Sequence, residues 1–145
     1  MKLKTAYMGE VEIETKNILK FEHGIPGFEK EKGFVLLPIE ENSIFQVLQS
    51  VRTESLAFII TSPYAITENY NLELDESIIR ALEIKNENEV AVFAIVSLKD
   101  TLDNSTANLK APIILNTTNK KAKQLILDKQ AYSIRHQLSL ESTKG

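Results

Sequence analysis

The sequence predicts an all-β domain, mainly antiparallel, that closes fully or partly into a single barrel and carries one short helix. Three observations predict it. Apolar and polar residues alternate with a period of two in several short stretches, the pattern of strands with one buried face. Clusters of glycine, proline, asparagine and serine interrupt those stretches, as turns do. Only the segment beginning at Asp75 places apolar residues at helical spacing. Closure is expected because it removes exposed strand edges. At 145 residues the chain is long enough for one domain and cramped for two. Residues 1–140 read as that domain, and residues 141–145 as a disordered C-terminal end.

Taken in order, Leu3, Thr5 and Tyr7 alternate with Lys2, Lys4 and Ala6, and Val11 and Ile13 alternate with Glu10, Glu12 and Glu14. The Met8-Gly9 turn makes these a hairpin. Residues 18–21 form a short strand, stopped by His23-Gly24-Ile25-Pro26-Gly27. Residues 28–33 are charged and suit one helical turn, and residues 34–37 enter a strand that ends near Pro38. Strands follow at 45–49 and 56–61; the second is nearly all apolar, which predicts burial on both faces. Another strand is expected near residues 70–74. Asp75 then caps a helix with Leu74, Ile78, Ile79 and Leu82 on one face, running out at Lys85-Asn86. Residues 90–98 read as the central strand and 99–108 as a polar loop. Residues 113–115 and 124–127 flank a turn, giving a second hairpin, and residues 132–138 fit either a closing strand or a short helix.

Hydrophobic residues at 43% and charged residues at 26% match an ordinary globular chain, which argues against disorder. No apolar run is long enough to span a bilayer, and the N-terminus lacks a secretory pattern, so a cytoplasmic protein without membrane contact is expected. The chain has no cysteine, which excludes disulfides, thiolate catalysis and cysteine zinc sites. His23 and His136 are too few and too far apart for a recognisable metal motif, and no cofactor is expected. No GxSxG elbow, Walker A loop or GxGxxG run is present. The pattern predicts a protein that is not an enzyme.

Charge is distributed unevenly. Residues 1–105 carry a net −8 and residues 106–145 a net +5. Such an acidic body suits a basic protein partner better than nucleic acid. The alternative is a nucleic-acid-binding β-barrel module, whose affinity would collapse with salt. Glu68, Glu73, Glu76, Glu83, Glu87 and Glu89 crowd one stretch together with Asp75, opposed only by Arg80 and Lys85. Tyr64 and Tyr70 add rings of the kind that anchor interfaces. These eight tyrosines and glutamates are the expected partner-binding residues. A monomer is the default for the free chain.

Two segments resemble one known family. Phe21-Glu22-His23-Gly24-Ile25-Pro26-Gly27-Phe28-Glu29 resembles the F-x-x-G-[IL]-P-G-F-E signature of the bacterial flagellar assembly factor FliW family. The run Thr106-Ala107-Asn108-Leu109-Lys110-Ala111-Pro112-Ile113-Ile114-Leu115-Asn116 is similar to a second segment of that family, and Gln124, Tyr132 and Arg135 fall where its ending places them. The resemblance implies a cytoplasmic, non-enzymatic β-barrel-like protein. It also implies binding to CsrA, the carbon storage regulator, which relieves repression of flagellin messenger RNA, and binding to flagellin itself. The effect on the regulator would be indirect, with no direct contact to nucleic acid. Within these motifs, Phe21, Gly24, Pro26, Gly27, Phe28, Asn108, Ala111, Pro112 and Asn116 have structural roles as their simplest reading. Glycine and proline shape the turn, Phe21 and Phe28 bury apolar area across it, and Pro112 opens a strand.

Overall fold

Seven strands close on themselves in a computed structural model that describes residues 1–39, 44–101, 104–128 and 132–138. The order of elements is β1 (Lys2–Lys4), β2 (Glu10–Glu12), β3 (Leu19–Phe21), β4 (Gly33–Pro38), β5 (Phe45–Ser50), β6 (Ala57–Thr61), α1 (Glu76–Ala81), β7 (Val90–Ser97), β8 (Thr106–Asn116), β9 (Lys121–Gln124) and β10 (His136–Gln137). Antiparallel pairs run from β3 through β8, and β9 pairs antiparallel with β8. A parallel pairing of β9 with β3, Lys20 opposite Lys121 and Phe21 opposite Ala122, closes the ring. The free edge of long β8 is shared: β9 takes its last third, and two-residue β10 takes its start.

Alternation decides what fills the barrel. Phe34 and Leu36 of β4 point inward to join Phe21, Leu48, Ile60, Ile113 and Leu115. Val35 and Leu37 point outward, where the β1–β2 hairpin covers them with Leu3 and Ile13. Both faces are thus buried, which is why β4 reads as an unbroken apolar run. Gln49 ties the hairpin down from within the wall. Its Oε1 accepts from the Ala6 N–H at 2.9 Å, and its Nε2 donates to the carbonyls of Glu54 and Leu56.

A run of only six residues is too short to be a stable helix alone. The Asp75 carboxylate accepts from the Ile78 N–H at 3.0 Å, and Glu76 pairs with Arg80 one turn on. Ile78 and Leu82 bury against Ile114 on the outside of β8. Asn116 then finishes the helix, its Nδ2 donating to the Leu82 carbonyl at 2.8 Å and to the Glu83 carbonyl at 3.2 Å. The chain escapes through Glu83 at φ +53°.

Several local expectations are corrected. Residues 28–33 form no helix: Phe28 bridges to Ile25, a turn follows at residues 29–30, and Gly33 already opens β4. Residues 70–74 pair with no strand among the described residues; side chains hold them instead, as described below. The β6 strand is only half-buried over residues 57–59. Residues 106–108 belong to β8, not to a loop, so Pro112 lies inside that strand rather than at its first position. The site tolerates proline because β8 bulges there: Phe93 faces Ile113, whereas Ile95 faces Asn108. Asn108 Oδ1 stabilises the bulge by accepting from the N–H groups of Lys110 and Ala111 at 3.0 and 3.1 Å. The second hairpin forms with its return strand starting at Lys121, and residues 132–138 end in β10. Residues 141–145 lie outside the described residues.

Candidate protein-interaction surface

The FEHGIPGFE loop caps one end of the barrel. Gly24 sits at φ +68°, where a Cβ would stand 2.6 Å from the carbonyl oxygens of Phe28 and Glu29. Phe21 is fully buried, with its ring edge-on to Phe34 at 5.3 Å between centroids. Phe28 corrects the expectation of burial: it is 41% exposed and covers only the edge of Phe58. Gly27, at φ +89°, donates its N–H to Glu29 Oε2 at 2.9 Å, which holds that carboxyl below its ordinary range. Pro26 is exposed beside it. Between this loop, the end of α1 and β9 lies a cavity of ≈ 490 Å³, lined by Lys20, Lys121 and Lys123 together with Glu22 and Glu29.

A second and larger groove, ≈ 960 Å³, runs between the Pro63–Ala65 3₁₀ turn, α1 and the first half of β7. Leu72, Leu74, Ile79, Ile84, Val92 and Phe93 line it, and Tyr64, Glu73, Glu87 and Lys85 stand around them. The structure therefore brings three of the expected partner-binding residues, Tyr64, Glu73 and Glu87, to one apolar trough. Glu68 and Glu76 are exposed but do not line it, and Glu76 is engaged by Arg80.

The remaining three expected contacts have structural partners. Glu83 is ion-paired with Lys121, and that hydrogen bond holds its carboxyl below the usual range. Glu89 accepts from the Lys85 N–H through its side chain and from the Thr117 N–H through its carbonyl, closing the turn that opens β7. Tyr70 is 5% exposed, and its hydroxyl donates to the Leu109 carbonyl at 2.8 Å, so the ring is not available as a surface anchor. Burial, then the neighbouring Tyr132 and Tyr64 hydroxyls, push its ionisation well above the ordinary tyrosine range. Tyr70 is the middle of a stack, with centroids 5.6 Å from Tyr64 and 4.6 Å from Tyr132. Tyr64, at the outer end, is 52% exposed and is the ring that faces the groove.

Charge and aromatic content singled out Tyr64, Glu73 and Glu87 of this groove, but not the apolar floor between them. Residues 90–93 read as part of the central strand, and the signal that one of their edges lacks a strand partner lies in three dimensions: β6 stops pairing at Thr61, opposite Ala94. Among the described residues no helix is long and apolar enough to cross a membrane, and no group of three or more acidic or histidine side chains is placed to hold a metal ion.

Comparison with known proteins agrees with the architecture. The family model described as FliW protein matches residues 2–138. A flagellar assembly factor FliW from Oceanobacillus iheyensis is 47% identical over 142 residues, which cover 98% of this chain and 95% of that relative. The flagellar assembly factor FliW of Bacillus subtilis is 45% identical over 142 residues, covering 98% and 99%. A crystal structure of the flagellar assembly factor FliW superposes with a TM-score of 0.89 at 40% identity, covering 95% of this chain and 96% of that one.

Proposed function

The chain belongs to the FliW family of flagellar assembly factors, and from that premise we propose that it acts in the cytoplasm by binding two protein partners in turn, without catalysis of its own. One partner is the translational regulator CsrA, whose repression of flagellin messenger RNA is relieved when the chain binds it. The other is flagellin, whose secretion frees the chain to act on the regulator.

The observation that carries this reading is the apolar groove with Glu73 and Glu87 at its rim, on a body whose first 105 residues carry a net −8. Apolar floor supplies affinity through removal of area from water, at about 25 cal/mol per Å² before association costs. Rim carboxylates supply steering, because exposed charges act over about 10 Å at 0.1 M salt.

Calorimetric titration of purified CsrA into the chain should give a complex with a Kd of tens of micromolar or tighter, about −6 kcal/mol or more favourable. No heat and no complex at that concentration would overturn the reading. Glu73→Lys combined with Glu87→Lys should slow association by up to about tenfold at low salt and change dissociation little. Stopped-flow mixing at two ionic strengths checks this, and an unchanged on-rate would remove these carboxylates from the encounter surface.

A further inference from the structure

The groove contains an open strand edge. Hydrogen bonds of an antiparallel strand point alternately to its two neighbours. The Glu89 carbonyl accepts from the Thr117 N–H at 2.7 Å, so Ala91 and Phe93 also point to β8. Ala94 faces Thr61 of β6, the last pair on the other side. Val90 and Val92 therefore direct their backbone groups to the side that β6 has left. The Val90 N–H bonds the Glu87 carbonyl of the preceding 3₁₀ turn. The Val92 N–H and C=O and the Val90 C=O meet no strand among the described residues.

Side chains around this edge match the needs of an added strand. Ala91 and Phe93 face the barrel interior, Val90 and Val92 face the α1 side, and all four are only half-buried. The β8 residues Ile113, Ile114 and Leu115, which have strand partners on both edges, are all buried. A peptide laid beside residues 90–93 would complete the seam, offering apolar side chains alternately to Phe93 and to the Leu72, Leu74 and Ile79 wall. Two carboxylates, Glu73 and Glu87, against Lys85 alone favour a basic residue at its margin.

We propose that the groove binds an extended, apolar segment of a basic protein partner by strand addition to residues 90–93 of β7. This rests on the reading above that the chain works by binding proteins, and it specifies how one of them is held: main-chain bonds supply register, and the trough selects side chains.

Amide hydrogen exchange of the full chain tests it, free and saturated separately with purified CsrA and with purified flagellin. The Val92 amide is expected to slow by at least about tenfold in one of the two complexes. Val92→Pro removes the groove-facing donor without touching the β8 ladder, and edge strands accept proline. It should weaken that complex by about tenfold while the thermal melt shows an intact fold. Complexes that form and leave Val92 exchanging at its free rate would overturn strand addition and leave the binding function standing. Absence of any complex with either protein would overturn both. Protection of Val92 that rises with concentration of the chain alone would assign the edge to a second copy and overturn the proposal.

Discussion

Gly24→Ala is expected to destabilise the fold by about 3 kcal/mol, whereas Gly27→Ala, three residues away in the same turn, should cost only about 1–2 kcal/mol. Both glycines have positive φ, so each substitution incurs the left-handed penalty of an L residue, about 1–2 kcal/mol. The difference lies in what a side chain would meet. At Gly24 the added carbon stands 2.6 Å from two carbonyl oxygens, and backbone cannot yield as a flexible side chain does; at Gly27 it meets nothing within 4 Å. Overpacking of this kind adds about 1–3 kcal/mol. For a chain of 145 residues, about 3 kcal/mol corresponds to a fall of roughly 10 °C in Tm. Thermal denaturation of the two variants side by side checks the contrast. Equal losses would mean that the close approach at Gly24 relaxes at no cost and that turn conformation alone selects glycine there.

Tyr70→Ala should cost about 3–5 kcal/mol, while Tyr64→Ala should cost less than about 1.5 kcal/mol. The two rings touch, yet they do different work. Tyr70 packs with Ala94, Val96, Ala107, Leu109 and Leu138 and bonds the Leu109 carbonyl, so truncation opens a cavity and leaves a buried acceptor unpaired. Tyr64 is 52% exposed and loses little beyond one edge-on ring contact. Chemical denaturation separates the variants by stability. Dissociation kinetics should rank them differently: Tyr64→Ala is expected to shorten the lifetime of a partner complex with little dependence on salt, as a groove-lining anchor would. A lifetime unchanged by Tyr64→Ala would exclude that ring from the interface.

Much of the barrel was legible because period-two patterning and turn residues act locally. Val11 and Ile13 against Glu10, Glu12 and Glu14 announce a hairpin with one wet face, and the three glutamates are indeed exposed. Asp75 and the Ile78–Leu82 spacing announce the helix. What remained hidden depends on pairing between distant segments. The parallel β3–β9 contact that closes the barrel joins residues a hundred positions apart, and no local pattern encodes it. Pro112 looks like a strand opener until the Asn108 bulge shows how proline fits inside β8. The candidate interaction surface divides in the same way. A cluster of glutamates falls partly around the groove, but sequence cannot tell Glu73 and Glu87, which flank it, from Glu83 and Glu89, which serve Lys121 and the turn before β7. Nor can it tell exposed Tyr64 from buried Tyr70, since both carry the same amphipathic ring.

The most direct test of partner switching follows one RNA. CsrA bound to the leader of a flagellin messenger RNA is titrated with the chain, and RNA release is followed by fluorescence anisotropy, first alone and then with added flagellin. The account predicts that the chain releases the RNA and that flagellin, by occupying the chain, restores the CsrA–RNA complex. RNA that stays bound to CsrA at a saturating concentration of the chain would contradict it.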